Sequence, residues 1–199
     1  MSLSAPAPRR LSHKRTINLD GFIRDDGHYD IEAEMIDVKN YDFPNRARGI
    51  IKKDEPLHHM KLRVTISEEM EILNAEAVTL SGPYLECPKG ADNIRHLIGK
   101  KIQPGWKKIV ARAIGGADGC THITELMGPV ATVAFQTIYA EKAKRKREAI
   151  QKDAMTQDDA SQMAIASSLL NSCYALAEAR VERRNKADNP HDKGDEELG

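Results

Sequence analysis

The sequence predicts an α+β fold, an antiparallel sheet drawn from the N-terminal third and covered by helices from the rest of the chain. Two observations fix the sheet. In "HMKLRVTI" the residues Met60, Leu62, Val64 and Ile66 share one face while Lys61, Arg63 and Thr65 take the other, the two-residue period of a half-buried strand. "ILNAEAVTL" returns after the turn "SEEME", which makes an antiparallel hairpin. A third observation brings in the helices. Past Gly82-Pro83 the apolar period lengthens, and Ile94, Leu97 and Ile98 recur at helical spacing.

The elements follow in order. Residues 1–14 are rich in Ser, Pro and Arg and form a disordered arm. From Arg15 to about Ile51 the chain reads as extended; "GHYDIEAEMIDVKNYDF" puts Ile31, Ala33 and Met35 on one face, after the turn Asp25-Asp26-Gly27. A sheet of about three to five strands is expected. "CPKGADNIRHLIGKKI" is a first helix with Gly99 as its C-cap. "PGWKKIVARAIGG" is a second, opened by Pro104 and closed by Gly115-Gly116, with Trp106 in the core between the two. A long third helix runs from about Thr121 to Ala149 on a stripe of Ile123, Leu126, Val130, Val133, Ala134 and Ile138. Its later turns, "EKAKRKREAIQK", are a solvated face. A last helix carries Met163, Leu170, Tyr174, Ala177 and Val181 on one side. The expected organisation is therefore an arm (1–14), an α+β domain with the candidate site (15–150), a C-terminal helix packing on it (151–185) and a disordered tail (186–199).

Composition narrows the function. Lys plus Arg equals Asp plus Glu at 30 each, a balance that argues against a general nucleic-acid binder. The basic run near residue 145 has no aromatics interleaved for stacking on bases. No apolar run approaches a membrane span, and no apolar segment follows the basic N-terminus as a secretory signal requires. Cys87, Cys120 and Cys173 are too few and too far apart for a disulfide framework, and a reduced cytoplasm is the expected location. The partner expected is a small molecule, with no nucleic acid and no membrane; a homo-oligomer stays open.

The stretch "GCTHITEL" sets Cys120, His122 and Glu125 where a loop turns into the long helix. Thiolate and imidazole are the commonest ligands of zinc and iron, but C-x-H alone also fits a packed cysteine beside a satisfied histidine. Cys87 adds weight, because "PYLECP" places it where the hairpin hands over to a helix. Parity then separates two adjacent histidines. His58 continues the row of Met60, Leu62 and Val64, and His59 points with Lys61 and Arg63. If the end of that sheet face meets the start of the third helix, His58, Cys87, Cys120 and His122 converge on one transition metal, zinc or iron. Further candidates surround this set. Asp37 and Lys39 close a strand as an acid–base pair or as an exposed salt bridge. Tyr84 is a general acid or a hydrogen-bond partner for a phenolic substrate, or simply a packed ring. Arg24 and Asp26 read as turn chemistry. Cys173 is a small buried residue or a reserve ligand.

The run from "MKLRVTI" to "CPKGADNIRHLIGKKI", with "GCTHITELMGPVATVAFQ", resembles the iron–sulfur cluster scaffold (IscU-type) fold. In that likeness Cys87 and Cys120 take two of the scaffold's cysteine positions, Glu125 its glutamate and His58 its aspartate. Near Pro56 the scaffold's first cysteine is missing, and Gly119 stands where the scaffold has a histidine. A wider resemblance, carried by "RDDGHYDIEAEMIDVK", "EPLHHMKLRVTI", "PYLEC", "GCTHITEL" and "NSCYAL", is to a bacterial domain-of-unknown-function family (DUF2889-type). It implies a setting in aromatic-compound catabolism and, for some members, a lyase that releases formaldehyde from lignin-derived dimers. Three functions follow as expectations. The first is a metal-dependent enzyme on a small, aromatic molecule, with His59 or Tyr84 moving the proton. The second is an iron–sulfur or metal carrier, and the third a non-enzymatic partner-binding domain.

Overall fold

The computed structural model describes residues 3–152 and 173–188, with side chains through 148 and from 173 to 184. The chain divides into units of residues 1–143 and 144–199. The first contains the sheet: β1 (His13–Ile23), β2 (Tyr29–Lys39), the short pair β3 (Phe43–Asn45) and β4 (Gly49–Ile51), β5 (Pro56–Ile66) and β6 (Ile72–Ser81). β1, β2, β5 and β6 form one antiparallel four-stranded sheet in that order, and β3 with β4 forms a two-stranded ribbon. The helices α1 (Cys87–Ala91), α2 (Trp106–Ile114) and α3 (Thr121–Lys152) follow, with a 3-10 turn after α1 at Asp92–Leu97. The expected α+β architecture is the observed one.

Burial alternates along β2, where Tyr29, Ile31, Ala33, Met35 and Asp37 are buried and the residues between them are half-buried. On β5 the buried row is Met60, Leu62, Val64 and Ile66, as the parity requires. These side chains join Ile94, Leu97, Trp106, Val110 and the α3 stripe of Ile123, Leu126, Met127, Val130, Ala134 and Ile138 in one core. Burying each large aliphatic side chain of that core contributes about 1.5–3 kcal/mol. Trp106 is buried as expected, and its indole N–H donates to the Met127 carbonyl at 2.8 Å, which ties α2 to α3.

The sheet and α3 approach closely at one point. A Cβ on Gly21 of β1 would stand 2.0 Å from Thr137 Oγ1, so only glycine lets that strand lie against the helix. The start of the helix is as tight. A Cβ on Gly119 would fall 1.7 Å from the Ile114 carbonyl oxygen, so no side chain fits immediately before Cys120.

In residues 144–199 the described structure is the end of α3, a 3-10 turn at Tyr174–Leu176 and α4 (Glu178–Asp188). Arg180 stacks 3.5 Å above the Tyr174 ring and donates to the Tyr174 carbonyl. The expected C-terminal helix differs where it is described: Cys173 and Ala177 have extended backbone, so α4 starts at Glu178 and does not run through Tyr174. Cys173 is exposed, against the expectation of burial. Met163 and Leu170, and most of the expected tail, lie outside the described residues.

Candidate metal centre

Three neighbouring strands build the floor of the site by register. Arg15 of β1 pairs with Asp37 of β2, and Asp37 pairs with His58 of β5, so the three stand in one row across the inner face. The register slips just past this row, where Val38 meets Pro56 and Leu57 is left over as a bulge. The bulge lies on the far side of His58 from the core, so His58 keeps the inward parity of Met60.

Asp37 is 1% exposed and heavily engaged. Arg15 forks onto it, Nε to Oδ1 and Nη2 to Oδ2, both at 2.8 Å. His13 Nε2 lies 3.2 Å from Oδ1, and His58 Nδ1 lies 3.0 Å from Oδ2. Above this floor the first turn of α3 brings His122, whose Nε2 is 3.9 Å from Asp37 Oδ2. Its ring lies over that of His58 with centroids 3.9 Å apart. Arg15 also donates to Glu125 at 2.9 Å, which links the edge strand to α3. Thr124 Oγ1 donates to the Cys120 and Ile114 carbonyls and holds the start of the helix.

The charges follow from this packing. Burial pushes the Asp37 carboxyl up, but Arg15, with smaller help from His58 and His13, outweighs it and leaves Asp37 below the usual carboxylate range. Burial lowers both His58 and His122 below the ordinary imidazole value, helped by the His122 charge on His58 and the Arg15 charge on His122. Neutral imidazoles keep a lone pair for a ligand. Asp37, His58 and His122 each offer an atom within 4.8 Å of the others, a group able to hold a metal ion.

A cleft of about 640 Å³ opens beside this group. His58, Met60, Tyr84, Cys87, Cys120 and His122 are among the residues that line it. α1 lies against the start of α3 here, since a Cβ on Gly90 would be 3.5 Å from the Cys120 Cβ. Cys120 Sγ is 4.0 Å from His122 Nδ1. The structure therefore brings His58, Cys87, Cys120 and His122 to one cleft, with the exposed Tyr84 at its rim. It does not bring in His59, whose Nε2 is 2.7 Å from Glu34 on the outer face. Lys39 does not line the cleft either, and the strand-end pair expected for Asp37 is replaced: the carboxylate is buried and belongs to Arg15. Arg24 is turn chemistry as expected, bonded to Asp26 and Asp30.

Arg15 and His13 are the functional residues that sequence reasoning missed. The signal was present in the turn between β1 and β2. Counting back along both strands from the Ile23–Tyr29 pair puts Arg15 opposite Asp37.

An α+β domain with an imidazole–carboxylate group under a thiol-lined cleft is a candidate metalloprotein. The chain belongs to the family described as protein of unknown function (DUF2889), whose profile matches residues 13–136. No curated protein and no solved structure matches the chain. The matched span takes in every residue of the site just described.

Proposed function

We propose that the protein is a metal-dependent enzyme acting on a small organic molecule, with a zinc or iron ion held beside His58 and His122. The observation that carries this is the Asp37–His58–His122 group, whose ligand atoms lie within 4.8 Å of one another beside an open cleft that Cys87 and Cys120 also line. Such donors suit a borderline or soft transition metal better than magnesium or calcium. An ion bound there would act as a Lewis acid on a substrate oxygen. The chain's own groups do the rest. Pro83 offers apolar contact for an aromatic ring, and the exposed Tyr84 at the rim brings a phenol able to give or take a proton.

The finer reading, a carbon–carbon lyase releasing formaldehyde from a lignin-derived aromatic, rests on the family resemblance. Its balance needs no oxidant: a hydroxymethyl group loses its hydroxyl proton, the bond to the neighbouring carbon breaks, and that carbon takes up a proton. In this reading Tyr84, at the rim of the cleft, moves that proton.

Purified protein is expected to hold stoichiometric zinc or iron without acid-labile sulfide, and the double variant Cys120→Ala/His122→Ala to lose both metal and turnover. Sulfide with visible absorption would favour the carrier function, for which Cys87 and Cys120 are the supporting residues. Full metal in the double variant would refute this site, and a metal-free wild-type protein would favour the partner-binding domain.

A further inference from the structure

We infer that Asp37 is a positioning residue and not a metal ligand: it fixes His58 through Nδ1, and the ion takes the nitrogens turned away from the carboxylate, His58 Nε2 and His122 Nδ1, together with the Cys120 thiolate. This rests on the metal-site reading above and sharpens it.

Occupancy is the first reason. A carboxylate offers about four lone-pair sites. Oδ1 is taken by Arg15 Nε and His13 Nε2, and Oδ2 by Arg15 Nη2 and His58 Nδ1. A divalent ion added to Oδ2 would share that oxygen with a guanidinium nitrogen 2.8 Å away, and two cations on one acceptor repel. Removing the guanidinium would leave a different carboxylate. Arg15 is therefore the countercharge that keeps Asp37 from competing for the ion.

Geometry is the second. His58 Nδ1 faces Asp37, so the nitrogen left with a lone pair is Nε2, on a side chain that lines the cleft. His122 turns Nε2 toward Asp37 and Nδ1 toward Cys120. Zinc–nitrogen and zinc–sulfur bonds of about 2.0–2.1 and 2.3 Å at a tetrahedral angle hold the two ligand atoms roughly 3.5 Å apart. The His122 Nδ1–Cys120 Sγ separation of 4.0 Å needs only a small closure to reach that. Cys87 lines the same cleft; both thiols lie outside the Asp37–His58–His122 group whose atoms are already within 4.8 Å of one another, so the cleft must draw in around the ion to bring two sulfurs to the two nitrogens. An imidazole whose far nitrogen is held by a carboxylate is the usual way proteins orient such ligands.

Cobalt(II) titration of the full chain tests the assignment, with the thiolate-to-cobalt charge-transfer band as the readout. Asp37→Asn is expected to keep the band and the stoichiometry while affinity falls about 10- to 100-fold. Cys120→Ser is expected to lose or strongly weaken the band. An Asp37→Asn protein that binds no cobalt, beside a Cys120→Ser protein that binds normally, would overturn the inference while leaving a metal site in place. Wild-type protein that takes up no cobalt would overturn both readings. X-ray absorption of the zinc-loaded wild type decides independently of how the variants fold. A sulfur shell at about 2.3 Å supports the assignment, and a shell of nitrogen and oxygen alone refutes it.

Discussion

His58 and His59 are consecutive residues of one strand, yet they sit on opposite faces of the sheet in different surroundings. His58 faces inward onto buried Asp37, beside His122 and a cleft with two thiols. His59 faces outward onto Glu34, which it shares with Lys61 at 3.2 Å, next to the trio of Arg63, Glu32 and Glu76. The outer face also has a groove, of about 710 Å³, slightly larger than the inner cleft. Glu32, Glu34, Lys61, Arg63 and Glu76 in its lining are already paired across neighbouring strands, and among the described residues it holds no cluster of imidazoles or thiols. Charge alone does not distinguish the two faces. The inner one differs because a carboxylate is buried there with more donors around it than an ion pair requires.

The sharpest way to break this contrast is to remove each histidine in turn. His58→Ala should lower metal affinity by about 100-fold or more, beyond the 10- to 100-fold typical of a supporting residue. His59→Ala should leave metal content unchanged; metal analysis of the two variants side by side checks both. The reverse result would mean that the strand register, and every face assigned from it, is wrong.

Arginine gives the next comparison. Arg15→Ala strands a buried carboxylate and should cost about 2–4 kcal/mol, near the lower end for a broken buried pair because Arg15 is itself 34% exposed. Arg63→Ala removes two surface pairs and should cost less than about 1 kcal/mol. Urea denaturation measures both, and equal losses would erase the distinction between the faces.

Gly21→Ala tests how tightly the inner face is covered. The clash with Thr137 should destabilise by about 1–3 kcal/mol, and adding Thr137→Ala should restore part of it, since the nearest clashing atom is the hydroxyl. An unchanged melting temperature in Gly21→Ala would show that the strand is free to move away from α3.

The smallest effect is expected outside. Glu34 is held below the ordinary carboxylate range by His59 first and Lys61 second. A carboxyl with a lowered folded-state pKa stabilises above its unfolded value of about 4.3, and that contribution is lost as pH falls through the folded value. Glu34→Gln should therefore be less stable than wild type by under about 1 kcal/mol at pH 7, with the gap closing in acid. A gap that widens in acid would contradict this sign.

Strand parity made the inner face legible before any coordinates, because Met60, Leu62 and Val64 leave His58 only one side to occupy. The loop-to-helix position of Cys120 and His122 was legible in the same way, from the turn residues before the α3 stripe. Asp37 was noticed but assigned the wrong neighbour. Lys39 is close in sequence, whereas Arg15 is close only once two strands are registered across a turn. β1 hid its role because its apolar residues are sparse and it lies at the sheet's edge, where Ile17 and Ile23 stay exposed. The α4 boundary was missed for a different reason: a continuous apolar stripe does not reveal a break at Cys173 and Ala177.

The link from Arg15 to Glu125 spans 110 residues of chain and has a consequence for how the protein matures. A nascent chain emerges with β1 and β2 first, and their hairpin, closed by a short turn, can pair Arg15 with Asp37 while the rest is still being made. Cys120 and His122 are synthesised long afterwards. The carboxylate is thus neutralised by its guanidinium before either α3 donor exists, and a stray cation meeting the half-made chain finds that oxygen already occupied. On the proposed reading an ion would be bound last, once β1 and the start of α3 have met.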